Sequence, residues 1–242
     1  MNHARTAATG RPGLHRFSRS SPGAHLVCFL HAGGLPTAYQ PWAAEVGDRF
    51  TVWVATVDHR DCAAGTAPMW DVYAQRQADA VASLRGPLTL YGHSLGALSA
   101  YETARELRRR GREITHLVVS GRDAPHLKPE ITFPDDPVAL VHAAAACFGG
   151  IPEELLHDDE LAYVFGTEMR AGFAAADAYV WQPGPPLDVR LTVVGGLDDP
   201  VVTDAGLRAW QQHTTGPFRL ERLPGGHFFT AEERRRLHAL LP

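Results

Sequence analysis

The stretch Leu88-Thr89-Leu90-Tyr91-Gly92-His93-Ser94-Leu95-Gly96-Ala97 decides how this chain is read. It begins as a short apolar run and then opens a helical pattern over 95–110, which closes on Arg108-Arg109-Arg110-Gly111. Basic side chains complement a helix C-terminus, and a glycine supplies the left-handed residue that follows it. The stretch is therefore strand, sharp turn and helix, with G-x-S-x-G in the turn. By itself the pattern is weak, since a shuffled chain of this composition would hold about 0.06 copies. In this setting it reads as a nucleophile elbow. The glycines permit a strained turn that pushes the serine hydroxyl out at the sheet edge, ahead of a helix N-terminus.

Working outward, short β-branched or apolar runs lie at 25–31, 51–57, 88–91, 116–120, 190–194 and 218–223. Helix-length patterns lie at 39–46, 69–84, 95–110, 204–213 and 231–241. Apolar strands joined by helical crossovers predict a mostly parallel, doubly wound α/β sheet covered on both faces. One connection is too long: about 70 residues separate the strands near 120 and 190, where a crossover helix needs far fewer. This stretch holds helical patterns at 138–148 and 160–180, entered through Pro125, Pro129, Pro134 and Pro137 and left through Pro183, Pro185 and Pro186. It is expected to be a helical lid insertion, about 125–186, over a pocket. The expected division is a flexible tail, residues 1–13, followed by one domain, 14–242.

Composition excludes other classes. The 242 residues, 45% hydrophobic and 21% charged, suffice for a sizeable core. A net charge of −4 gives no footprint for nucleic acid. No apolar run reaches the ~18 residues of a membrane span, and residues 1–19 lack the apolar core of a secretory signal. Cys28, Cys62 and Cys147 are too few and scattered for a disulfide framework or a zinc site. Cys28 and Cys147 lie in apolar and alanine-rich runs and are expected to be buried thiols. The expectation is a cytoplasmic monomer with no metal and no cofactor.

A serine hydroxyl is a poor nucleophile at neutral pH and needs a base held by an acid. In chain order the acid follows the serine and precedes the histidine. His227 ends Leu223-Pro224-Gly225-Gly226-His227, after the last strand and before a helix whose Thr230 and Glu233 form a capping-box pattern. It is the expected base; His213 and His238 lie inside helical patterns. For the acid, Asp199 has the best spacing in Gly196-Leu197-Asp198-Asp199-Pro200-Val201-Val202, with Asp198 and Asp123 as alternatives. The oxyanion needs two donors. These are expected to be the backbone N–H of Leu95 and that of Ala32, in the glycine-rich loop Phe29-Leu30-His31-Ala32-Gly33-Gly34.

These segments, with Trp42, Val119-Ser120-Gly121-Arg122-Asp123-Ala124-Pro125 and Gly149-Gly150-Ile151-Pro152-Glu153-Glu154, resemble the type II thioesterases. These are free-standing editing enzymes of polyketide and nonribosomal-peptide assembly, with the α/β-hydrolase fold. The resemblance covers almost everything from Leu14 onward. It implies hydrolysis of acyl or aminoacyl thioesters on the phosphopantetheine arm of an acyl or peptidyl carrier protein, with Ser94 as nucleophile, His227 as base and Asp199 as orienting acid. The phosphopantetheine belongs to the substrate. The sequence departs from the family pattern at Leu30, where proline is usual, and at Val57-Asp58-His59-Arg60, where the family shows Pro-Gly-Arg. A third departure is Arg170-Ala171-Gly172, in place of Arg-Ala-Asp. Two alternatives stay open: a hydrolase of small esters or lactones, and an acyl transferase or cyclase. For docking an acidic carrier, Arg122 and Arg234 are better placed than Arg108–Arg110, about 24 Å along the helix from the serine.

Overall fold

The structure is a computed structural model and describes residues 13–17, 23–62, 67–129 and 131–242. Apart from Gly13, the expected tail lies outside the described residues. The strands are β1 (Leu14–Arg16), β2 (His25–Phe29), β3 (Thr51–Ala55), β4 (Leu88–His93), β5 (His116–Ser120), β6 (Arg190–Gly196) and β7 (Phe218–Leu223). The α-helices are α1 (Gln40–Val46), α2 (Met69–Ala82), α3 (Leu95–Arg109), α4 (Pro137–Phe148), α5 (Glu153–Leu156), α6 (Asp159–Asp177), α7 (Asp204–Arg208) and α8 (Ala231–His238).

The strands form one seven-stranded sheet in the order β1-β3-β2-β4-β5-β6-β7. Every pairing is parallel except the antiparallel edge pair of β1 with β3. Alternate side chains on a strand face opposite ways, and here both directions are apolar. Val27, Phe29, Leu88, Leu90, Leu117, Val119, Leu191 and Val193 pack with residues of α2, α3 and α7. Leu26, Cys28, Tyr91, Val118 and Val194 pack on the other face with Tyr39, Trp42 and Val46, and with Leu237 of α8. That two-sided burial is why the strands read as continuous apolar runs and not as alternating ones. The parallel register aligns Phe29 with Gly92, His93 with Ser120, and Ser120 with Val194. The loops after β2, β4, β5, β6 and β7 therefore converge at one edge, where ligands bind in open α/β sheets.

Four details differ from expectation. β1 was not foreseen. The helix expected over 204–213 is an α-helical turn, α7, that tightens into a 3₁₀ segment, Ala209–His213. α8 ends at His238, earlier than 241, although its capping box is present: Thr230 N–H donates to Glu233 at 2.7 Å and Glu233 N–H to Thr230 at 3.4 Å. Of the two cysteines expected to be buried, Cys28 is and Cys147 is half-buried.

The long insertion carries α4, α5 and α6 around a small core of Leu140, Ala144 and Met169, joined by Phe133, Phe148, Phe165 and Phe173. The α4–α6 approach is close because residue 166 is glycine; a Cβ there would overlap the Pro137 carbonyl. The end of α6 is tied down by the Trp70 indole, which donates to the Ala175 carbonyl at 2.9 Å. Just beyond, the Tyr179 hydroxyl donates to Glu102 at 2.6 Å. Arg60 pairs with Asp58 and Glu168, joining the loop after β3 to α6. Among the described residues, no helix is long and apolar enough to cross a membrane.

Acid sensitivity follows from three buried imidazoles. His116, His213 and His238 are each pulled down to about 4, chiefly by burial. The unfolded chain takes up these protons near 6.5, so stability is full above that pH and is lost as pH falls from 6.5 toward 4. At about 1 kcal/mol per imidazole per pH unit, Tm at pH 5 is expected to lie about 10 °C below Tm at pH 7. A thermal melt that is flat between those pH values contradicts this.

Candidate active site

Ser94 sits between β4 and α3 with φ 55° and ψ −119°. Among the described residues it is the one non-glycine residue with positive φ. The flanking glycines are forced by space. A Cβ at Gly92 would overlap the Gly96 carbonyl, and one at Gly96 would overlap the Phe29 carbonyl. Ser94 N–H donates to the Ser120 carbonyl at 2.8 Å, which fixes the turn against β5. Strain held in this way at an element boundary is characteristic of functional positions.

The His227 imidazole and the Asp199 carboxylate are buried together, with Nδ1 and Oδ2 2.9 Å apart. The other oxygen of Asp199 accepts the Val201 N–H at 3.1 Å, so both carboxylate oxygens are used. The rival acids are elsewhere. Asp198 is exposed, and Asp123 accepts the Thr203 N–H and hydroxyl at 3.0 and 3.2 Å, bracing the start of α7. The rival histidines are also occupied. His213 bonds Tyr101 and His126, and His238 packs edge-on against Trp42.

With Nδ1 facing Asp199, Nε2 is the nitrogen left for the serine. Ser94 and His227 line the same cavity of about 90 Å³, with no direct hydrogen bond between their side chains. Such open spacing is usual before substrate closes the site. The imidazole is walled by Phe148 of the insertion, with ring centroids 4.5 Å apart, and by Phe228 and His93. His93 is fixed by a hydrogen bond of 2.9 Å to Ser120, which also bonds Tyr91. Burial, and then the neighbouring His227 charge, pulls His31 to about 4 and His93 well below its ordinary value. Both neighbours are therefore uncharged imidazoles at neutral pH. Sequence reasoning missed Phe148, Phe228 and His93 as walls of the site. Of these, only His93 was signalled, by lying inside the serine motif.

Ala32 and Leu95 together line two cavities, of about 160 and 330 Å³, and Ser94 lines the larger of these. Leu95 N–H is the first of its helix, one of the donors a helix leaves unpaired. The insertion seats directly on this pair. A Cβ at Gly172 of α6 would come within 2.7 Å of Ala32 Cα and Cβ. The departure to Arg170-Ala171-Gly172 thus lets α6 lie on the loop after β2. Gly172→Ala, although it favours helix, is expected to push α6 off that loop. We expect at least a fivefold fall in kcat/KM with a modest fall in Tm. Unchanged kcat/KM would show that α6 does not set the position of Ala32.

The two arginines expected to dock a carrier lie in different settings. Arg234 is held by Glu45 through two contacts of 3.0 and 2.6 Å, so its charge is already matched. Arg122 is half-buried and lines the 330 Å³ cavity beside Ser94.

The family model described as "Thioesterase domain" matches residues 24–241. Thioesterase PikA5 of Streptomyces venezuelae is 32% identical over 228 residues, covering 86% of this chain and 76% of that protein. The solved structure of RedJ, a thioesterase from the prodiginine biosynthetic pathway in Streptomyces coelicolor, superposes with TM-score 0.79 at 34% identity, covering 92% of this chain and 85% of that one. BorB, a type II thioesterase from the borrelidin biosynthetic cluster, gives TM-score 0.82 at 30% identity, covering 96% and 97%. With its mostly parallel sheet, serine turn and matched length, the chain belongs to the thioesterase family of the α/β-hydrolase fold.

Proposed function

We propose that the protein hydrolyses acyl or aminoacyl thioesters carried on the phosphopantetheine arm of an acyl or peptidyl carrier protein in polyketide or nonribosomal-peptide assembly. The observation that carries this reading is the buried Asp199–His227 pair at 2.9 Å, opening on the cavity that Ser94 lines. Ser94 Oγ attacks the thioester carbonyl as His227 Nε2 takes its proton. The N–H groups of Leu95 and Ala32 receive the developing oxyanion. The C–S bond breaks, and the pantetheine thiol leaves with the proton from His227. A thiol of pKa near 8.5 leaves more readily than an amine, so this protonation matters less than in peptide cleavage. A water molecule, deprotonated by His227, then attacks the acyl-serine and releases the acid. The insertion acts as the lid of this site: its Phe148 and Phe173 wall both cavities that reach Ser94.

The test is intact-mass analysis of a panel of acylated carrier proteins after incubation with the enzyme. The expected products are unacylated carrier and free acid. Acyl groups recovered on an amine or hydroxyl acceptor, or as rings, would make the protein a transferase or cyclase. Faster turnover of free esters or lactones than of acyl-carrier would remove the carrier from the account.

A further inference from the structure

The 330 Å³ cavity beside Ser94 has apolar walls at Leu95, Phe133, Phe148 and Phe173, yet it also contains the guanidinium-bearing residue Arg122. The backbone there is fixed. The Arg122 carbonyl accepts the Trp210 indole N–H at 2.8 Å, and the preceding Gly121, at φ 60°, has no room for a Cβ because His93 fills the space. Among the described residues the guanidinium has neither a hydrogen bond nor an ion-pair partner.

Burial pulls Arg122 below its ordinary pKa, opposed by Tyr179, Asp123 and Asp177. Each of those three is already committed. The Tyr179 hydroxyl donates to Glu102 at 2.6 Å, Asp123 accepts from Thr203, and Asp177 accepts from Arg170 at 2.7 Å. Among the described residues, a group with five N–H donors is thus left without a protein partner in a cavity that adjoins the nucleophile, where its donors are available to a ligand.

We propose that Arg122 is a specificity-determining residue that donates hydrogen bonds to an oxygen on the acyl chain, so that keto- or hydroxy-acyl groups are preferred over alkyl chains of equal length. This rests on the thioesterase reading of Ser94. An uncharged oxygen fits better than a carboxylate. Asp123 and Asp177 line the same cavity and balance the charges of Arg122 and Lys128, so a carboxylate gains no net attraction there.

The experiment compares kcat/KM for acetoacetyl-, butyryl- and malonyl-pantetheine thioesters with wild type, Arg122→Gln and Arg122→Lys. Dividing the acetoacetyl/butyryl ratio of each variant by that of wild type cancels the greater intrinsic reactivity of the keto thioester. In Arg122→Gln that quotient is expected to fall about tenfold or more, because a hydrogen bond from a charged donor is lost. Arg122→Lys, which keeps the charge but loses the planar fork, is expected to fall between and supplies the measurement should the glutamine variant not fold. A quotient unchanged within twofold, or equal losses on both thioesters, overturns the proposal. A wild-type preference for malonyl that Arg122→Gln abolishes would overturn the choice of an uncharged oxygen. Wild type that hydrolyses none of the three, nor any acyl-carrier, would instead overturn the thioesterase reading itself.

Discussion

Replacing Ser94 with alanine is expected to lower kcat for acyl-carrier hydrolysis by about 10⁴-fold or more, with Tm changed by no more than a few degrees. The size of the effect comes from the loss of the attacking atom, since among the described residues lining the cavity with His227 no other carries a hydroxyl. The small stability change comes from the local geometry. Serine and alanine carry the same Cβ at φ 55°, the Ser94 backbone bond to Ser120 is retained, and the lost hydroxyl has no hydrogen-bond partner among the described residues. Binding of acyl-carrier, measured by titration, is expected to persist. Turnover by Ser94→Ala at a rate comparable to wild type would remove the serine from the mechanism.

Asp199→Asn is the second large effect, and its mechanism can be read from two hydrogen bonds. One oxygen of Asp199 accepts the Val201 N–H and the other accepts from His227 Nδ1. An asparagine that keeps its carbonyl oxygen toward Val201 turns its NH₂ toward His227. The amide then donates to Nδ1 and places the imidazole proton on Nε2, where the serine needs an acceptor. The expected fall in kcat is about 10³–10⁴-fold with the fold intact. Asp198→Asn, on an exposed side chain, is expected to change kcat less than threefold. Asp123→Asn loosens the bracing of α7 by Thr203 and is expected to lower Tm more than kcat. A loss in the Asp123 variant as large as in Asp199→Asn, with Asp199→Asn still active, would reassign the acid.

The features legible in the sequence are those in which a local pattern and its structural cause coincide. Gly92 and Gly96 were legible because backbone carbonyls occupy the space of their missing side chains. The start of α8 was legible because Thr230 and Glu233 cap it within one turn. Asp199 was harder. Spacing ranked it above Asp198 and Asp123, but only tertiary distance shows which carboxylate meets His227. Arg234 had no local sign that Glu45, 189 residues away, would match its charge. Arg122 likewise gave no sign that the chain would turn it into a cavity. β1 is three residues long, too short for a period-two pattern, and it pairs at the sheet edge, antiparallel to the rest. No glycine or proline marks the change from α7 to 3₁₀ at Ala209, so the segment reads as one helix. Gly172 looked like a simple departure from a family pattern; its meaning comes from Ala32, to which no local rule connects it.

The central claim is that acyl groups pass from the carrier thiol to Ser94 before water takes them. Rapid quenching of wild type with acyl-carrier, followed by peptide mass mapping, tests it most directly. The account predicts a transient mass increase equal to the acyl group on the peptide containing Ser94, absent from Ser94→Ala and longer-lived in Asp199→Asn. Hydrolysis at full rate with no adduct at any time, or with the adduct on a different residue, would contradict it.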